Sequence, residues 1–249
     1  EIKDPKSRVL QIQGPASIEI MKSASNGKID ENMPYFSSNF FDLGGQTLYV
    51  SRTGFTNELG FEIFCDGFNT DHLALWDYLI ECGKPYGMKF SASRAMTIRR
   101  IEGGIFGNLT DIDTTITPFE AGLGYFVNMD KDFIGKDALM KKDKRTCLFG
   151  ITCKTAVPKA GSKIKLNDKE VGYITAGVPS PTLQLGIGYV RFYEPNDYMN
   201  KEIEILLPDN SSHIGVVVDL PFYDKEKRIV KGIDRTIPTK PDSKHFDAK

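Results

Sequence analysis

Histidine is scarce in this chain. It occurs three times in 249 residues, at His72, His213 and His245. Side chains so few and so scattered leave no Cys/His metal constellation and no Ser/His/Asp arrangement to argue for. Cysteine is little more common. None of Cys65, Cys82, Cys147 and Cys153 belongs to a CxxC pair, and the Cys147–Cys153 spacing has no histidine nearby. Zinc and thioredoxin-like redox chemistry are therefore not signalled. Each cysteine lies among apolar neighbours, which favours small core thiols in a reducing compartment, and a cytoplasmic protein is expected. An excess of either charge is also missing, with 32 Lys plus Arg against 33 Asp plus Glu. Without a basic stripe, neither nucleic acid nor an anionic membrane is the expected partner. No apolar run approaches the ~20 residues that cross a bilayer, and there is no signal-peptide pattern. A GxGxxG dinucleotide fingerprint is absent. The chain opens EIKDPKSRVLQIQGP, without methionine and nearly straight into a strand pattern, from which a fragment or a processed chain is expected.

What is present supports one large domain or two ordinary ones. RVLQIQ (8–13) alternates as a half-buried strand does, and Gly14-Pro15 then opens a helix through about Lys22. Polar and aromatic loop and strand fill 23–45. QTLYVSR (46–52) and FEIFC (61–65) read as strands joined by a loop that carries Gly54, Asn57 and Gly60. Residues 70–82 read as an amphipathic helix with Leu73, Trp76 and Ile80 as its apolar stripe and Gly83 placed to end it. Further helices are expected over 91–102, stopped by Gly103-Gly104, and over 136–142. From Thr146 the pattern is purely β, with short strands such as TCLFGITC, KEVGYITAG and LGIGYVRF separated by turn residues. That spacing favours a small barrel or sandwich. The expectation is an α+β domain over 1–145, bounded by the charged stretch KKDKR (141–145), then an antiparallel β-barrel domain over 146–235 and a flexible Pro/Lys-rich tail over 236–249.

One residue does not fit its strand. Glu62 stands between Phe61 and the Ile63-Phe64 pair, just past a glycine-rich loop. Four stretches together give it a meaning: LQIQGP (10–15), SRTGFTNELGFEIF (51–64), ITPFEAGLGYFVNMDKDFIGKDAL (116–139) and YITAGVPSPTLQLGIGYVRF (173–192). In this order, over about 8–238, they resemble the folate-binding T-protein family, the aminomethyltransferases of the glycine cleavage system and their relatives. The second stretch is similar to the family's S-R-T-G-Y-T-G-E-x-G-[FY]-E-I.

The resemblance implies an enzyme that transfers a one-carbon unit, aminomethyl or methyl, to tetrahydrofolate. The donor is a lipoyl-bound aminomethyl group on a carrier protein, or a small methylated amine, ether or sulfonium compound. It implies that Glu62 faces the pterin, whose 2-amino-4-oxo edge presents two roughly parallel N–H donors that one carboxylate can accept. Phe55, where the family has tyrosine, either packs on the cofactor or anchors the loop to the core. Tyr125, in GLGYFV, matches an aromatic that lines the folate site.

The helix SASRAMTIRRIEGG departs from the family's G-[AL]-[GA]-A-R-D-[TV]-L-R-L-E. The motif's first arginine falls on Met96, and the aspartate next to it on Thr97. Arg94 is the expected substitute charge for the folate, a placement similar to that in dimethylglycine and sarcosine dehydrogenases. Arg100 matches the motif's second arginine and reads as a salt-bridging residue, and Asp113 as a chain-reversal residue. No residue matches the family's catalytic aspartate, which lies upstream of the QGP strand, so no catalytic residue is assigned. The relatives that support iron–sulfur assembly carry a reactive cysteine where this chain has DFIGKDAL, which argues against that non-catalytic branch.

Overall fold

The computed structural model describes residues 4–236. They form two compact units, one made of the residues up to Arg99 with the segment from Glu226 onward, the other of Arg100–Lys225. The tail expected to be flexible lies, from residue 237 on, outside the described residues.

The first unit contains β1 (Arg8–Gln13), α1 (Ser17–Ala24), β2 (Ser38–Leu43), β3 (Gln46–Ser51), β4 (Gly60–Cys65) and α2 (His72–Gly83), and it holds the start of α3 (Ser93–Glu102). Its sheet is antiparallel in the order β1-β4-β3-β2. Because side chains alternate across a strand, Ile12, Phe61, Ile63, Leu48 and Val50 share a core with Ile18 and Met21 of α1 and Leu75 and Leu79 of α2. Each large apolar side chain buried there contributes about 1.5–3 kcal/mol. On the other side of the alternation, Gln11, Glu62 and Ser51 are direct cross-strand neighbours.

One expectation for α2 needs correcting. The stripe Leu73-Trp76-Ile80 is not its core face, because Leu73 is 72% and Trp76 38% exposed while Leu75 and Leu79 are buried. The helix carries two apolar stripes, and the sheet takes the other one. Gly83 is the last residue of the α-helix, as expected, and the chain goes on into a 3-10 turn at Lys84–Tyr86 that stops at Gly87, φ 71°. Gly83 also makes room for Met88, which a Cβ would meet at 2.4 Å.

The second unit begins with turn-rich chain and the short α4 (Lys136–Met140), then builds β5 (Leu148–Cys153), β6 (Lys163–Leu166), β7 (Lys169–Ser180), β8 (Leu185–Phe192), β9 (Glu202–Leu206) and β10 (Ser212–Val218). These close into a barrel in the order β10-β5-β8-β7-β6-β9. Closure leaves no sheet edge unpaired. Ile151, Ile164, Ile174, Val190, Ile205 and Val217 fill it, with Phe192 and Tyr198 stacked at 3.5 Å. The chain before β6 crosses the β7–β8 hairpin so closely that a Cβ on Gly177 would lie 1.9 Å from the Pro158 carbonyl oxygen. Cys65, Cys147 and Cys153 are buried and Cys82 partly so. Burial, with Glu120 and Asp143 adding to it, pushes the Cys147 thiol up to about 11. Among the described residues no helix is long and apolar enough to cross a membrane, and no His, Cys, Asp and Glu side chains are grouped to hold a metal ion.

Candidate functional site

In the first unit, the loop from Arg52 to Leu59 is held from β1. The Gln13 amide nitrogen donates to the carbonyls of Thr53 and Phe61, both at 3.2 Å, and its oxygen accepts from the Thr56 hydroxyl at 2.7 Å. This side chain fills the space that Gly54 and Gly60 leave. A Cβ on either would lie within 2.4 Å of it. The glycines of the SRTGFTNELG stretch and the second glutamine of LQIQGP are thus one packing unit. Asn57 sits at φ 56°, a left-handed conformation that asparagine tolerates, where the quoted motif has glycine. Its side-chain oxygen accepts from Lys227 at 2.9 Å, and its buried nitrogen has no partner among the described residues. Arg52 is buried and donates to the carbonyls of Met33 and Lys231.

Glu62 lies half-buried on β4 at the end of this network. One carboxylate oxygen accepts from Gln11 at 3.2 Å and the other from the Thr53 hydroxyl at 2.5 Å. Thr53, having given its proton to Glu62, takes one from Ser51 at 2.5 Å. Two neutral donors and no cation hold this carboxylate among the hydrogen bonds seen here. Beside it on the same face run Phe64, Tyr49 and Phe40, with ring centroids 5.8 and 5.2 Å apart.

A cavity of about 800 Å³ opens along β1, within the range of ligand pockets. Leu10, Ile12, Trp76, Ile80, Phe90 and Met96 supply apolar walls, and Gln11 belongs to its rim while reaching Glu62. Glu58 of the motif loop and Arg99 of α3 both line it, and Arg99 Nη2 donates to Glu58 Oε1. The sequence reading missed this pair. Its partners are 41 residues apart, and Arg99 departs from the motif that drew attention to the helix.

The four expected folate residues are placed unequally. Phe55 and Glu62 share one loop and strand. Arg94 is exposed on the first turn of α3, and the cavity is lined by its neighbours Ser93, Ala95 and Met96 rather than by Arg94 itself. Tyr125 belongs to the second unit, where it is 79% exposed with its ring 4.0 Å from that of Phe126.

The other motifs close on each other in the second unit. Arg100 is buried and pairs with Asp111 at 2.7 Å, and Asp111 also accepts from Gly107 N and from Thr175, at the irregular point of β7. Glu102 is fully buried and accepts from the Ser180 hydroxyl at 2.6 Å and Thr182 N at 3.2 Å. Arg100 is thus a salt-bridging residue, and Asp113 accepts from Thr115 N as chain-reversal aspartates do.

Comparison with known proteins agrees with this architecture. A family model described as the GCVT N-terminal domain matches residues 2–131, and one described as the glycine cleavage T-protein C-terminal barrel domain matches residues 144–224. The chain belongs to the glycine cleavage T-protein family.

Within that family it is 34% identical, over 234 residues, to an aminomethyltransferase of Caldanaerobacter subterraneus subsp. tengcongensis, covering 90% of this chain and 61% of the relative. It is 38% identical over 195 residues to an aminomethyltransferase of Alkaliphilus oremlandii, covering 76% and 52%. A probable aminomethyltransferase of Pyrococcus horikoshii is 32% identical, with 91% and 63% covered. The crystal structure of the glycine cleavage system aminomethyltransferase T from Bartonella henselae shares the fold, with a TM-score of 0.74 at 22% identity over 88% of this chain and 60% of that one. The chain spans about three fifths of the length of most of these T-proteins.

Proposed function

We propose that the chain forms the folate-recognising part and the barrel of a tetrahydrofolate-dependent aminomethyltransferase of the glycine cleavage type. The donor is the aminomethyl group of a lipoylated carrier protein, and the protein works in the cytoplasm. When bound, tetrahydrofolate supplies the nucleophilic amine that accepts the one-carbon unit. One observation carries the reading at the site. Glu62 holds a half-buried carboxylate on a sheet face, oriented by Gln11 and Thr53, beside a row of aromatic rings.

The donor set fits the group. A carboxylate held by two neutral donors keeps lone pairs for the paired N–H groups of a pterin. Phe55 is the aromatic candidate of this unit for packing on the flat ligand, and Arg94 adds positive charge on the exposed start of α3.

Titration calorimetry of tetrahydrofolate against the wild-type chain and Glu62→Ala tests the reading. A single charge-assisted bond of about 1.5–3 kcal/mol corresponds to roughly a 10- to 150-fold loss of affinity, and at least that loss is expected. Equal affinity of the two chains, or no binding by a folded wild type, overturns it.

A further inference from the structure

Past β10 the chain leaves the barrel, and from Glu226 onward it belongs to the first unit again. Arg52, Arg235 and Lys227 fasten this return segment. Arg52 donates to the Lys231 carbonyl at 3.0 Å, and Arg235 to the Pro15 carbonyl at 2.7 Å and to the Glu19 carboxylate. Lys227 Nζ donates to Asn57 Oδ1 at 2.9 Å, and so reaches the motif loop itself.

That last contact is particular to this chain. The quoted motif has glycine at position 57, which offers no side chain to hold. Asparagine tolerates the left-handed backbone there, φ 56°, and adds an acceptor. The gain is not free, because the side chain is buried and its nitrogen has no partner among the described residues. Lys227 is left-handed too, at φ 57°, a conformation that lysine seldom adopts unless its surroundings impose it.

From Asn57 a series of hydrogen bonds leads to Glu62. The neighbouring Thr56 donates to Gln13, Gln13 donates to the carbonyls of Thr53 and Phe61, and Thr53 donates to the Glu62 carboxylate. The position of residue 57 therefore bears on the hydroxyl that orients this carboxylate.

We propose that Lys227 and Asn57 form a clasp that positions the SRTGFTN loop, and through Thr53 the Glu62 carboxylate, for tetrahydrofolate. Both are positioning residues, acting through the loop and not by touching the ligand. The inference rests on the folate reading and adds the return segment to that site.

A double-mutant cycle, read as tetrahydrofolate affinity by calorimetry, tests the clasp. Asn57→Gly keeps the backbone conformation and removes the acceptor, while Lys227→Met removes the donor. Each weakens binding severalfold, and the double variant binds no more weakly than the worse of the two. Lys227 has further interactions, and the cycle subtracts their loss. Asn57→Asp retains an acceptor and binds as tightly as the wild type. Thermal unfolding of the same chains separates positioning from bracing, since a mere brace couples the two residues in the midpoint and not in affinity. Unchanged affinity of the single variants, additive losses, or Asn57→Asp as weak as Asn57→Gly refutes the clasp while folate binding by the wild type stands. If the folded wild type binds no tetrahydrofolate, the clasp falls together with the folate reading.

Discussion

Glu102 is one of two carboxylates buried among the described residues, the other being Asp111. Fully buried at the end of α3, it takes the Ser180 hydroxyl and the Thr182 amide, while Ser180 in turn accepts from Leu183 N at 3.0 Å. The S-P-T-L turn therefore depends on a side chain about 80 residues upstream. Replacing Glu102 by alanine leaves the buried Ser180 hydroxyl without this acceptor, at about 1–3 kcal/mol for a buried unsatisfied group. Urea unfolding of Glu102→Ala is expected to show a lower midpoint with little change in slope. A midpoint equal to that of the wild type removes Glu102 from the list of stabilising residues. Arg100, two residues short of the helix end, pairs with Asp111, so the R-x-E of this helix serves the unit it stands in.

At the scale of elements, the barrel tolerates little at the β7–β8 hairpin. A Cβ on Gly177 would meet the backbone carbonyl of Pro158 at 1.9 Å and that of Ile187 at 3.2 Å. Backbone cannot rotate aside as a side chain can, so Gly177→Ala is expected to cost about 1–3 kcal/mol through overpacking. Thermal unfolding measures it, and an unchanged midpoint means that the crossing chain can lift away. Most of the elements were legible in the sequence. Strands such as RVLQIQ and FEIFC follow from alternation, and the barrel follows from short strands at even spacing. The buried stripe of α2 was not legible, because Leu73/Trp76/Ile80 and Leu75/Leu79 are both apolar and only the neighbouring sheet decides between them. The roles of Gly83, Gly54 and Gly60 were hidden as well. Each makes space for a side chain, Met88 or Gln13, that periodicity does not place. The same holds for the site. Glu62 stood out as a charge inside an apolar strand, whereas nothing in the sequence pairs Glu58 with Arg99, 41 positions away, and only the fold does so.

For the whole molecule, three of the motifs and the end of α3 resolve into two interlocked sets. LQIQGP locks to SRTGFTNELGFEIF in the first unit, through Gln13, Gly54 and Gly60. The end of α3 locks to SPTL and to Thr175 in the second. The helix α3 belongs to both, beginning in one unit and ending in the other. The cavity, the Glu62 network and the Glu58–Arg99 pair all lie in the first.

The chain has a single tryptophan, Trp76, and the fold sets it in the wall of that cavity at 38% exposure. Its fluorescence is therefore a reporter built into one place. Excited at the red edge of its absorption, beyond the tyrosines, Trp76 signals what reaches the β1 cavity and little else. Tetrahydrofolate that reaches this cavity is expected to quench and shift this emission in proportion to occupancy. Emission indifferent to saturating tetrahydrofolate would place the ligand away from this wall. No label and no second chromophore are needed, because the second apolar stripe of α2, which the core declined, put the indole where binding can be watched.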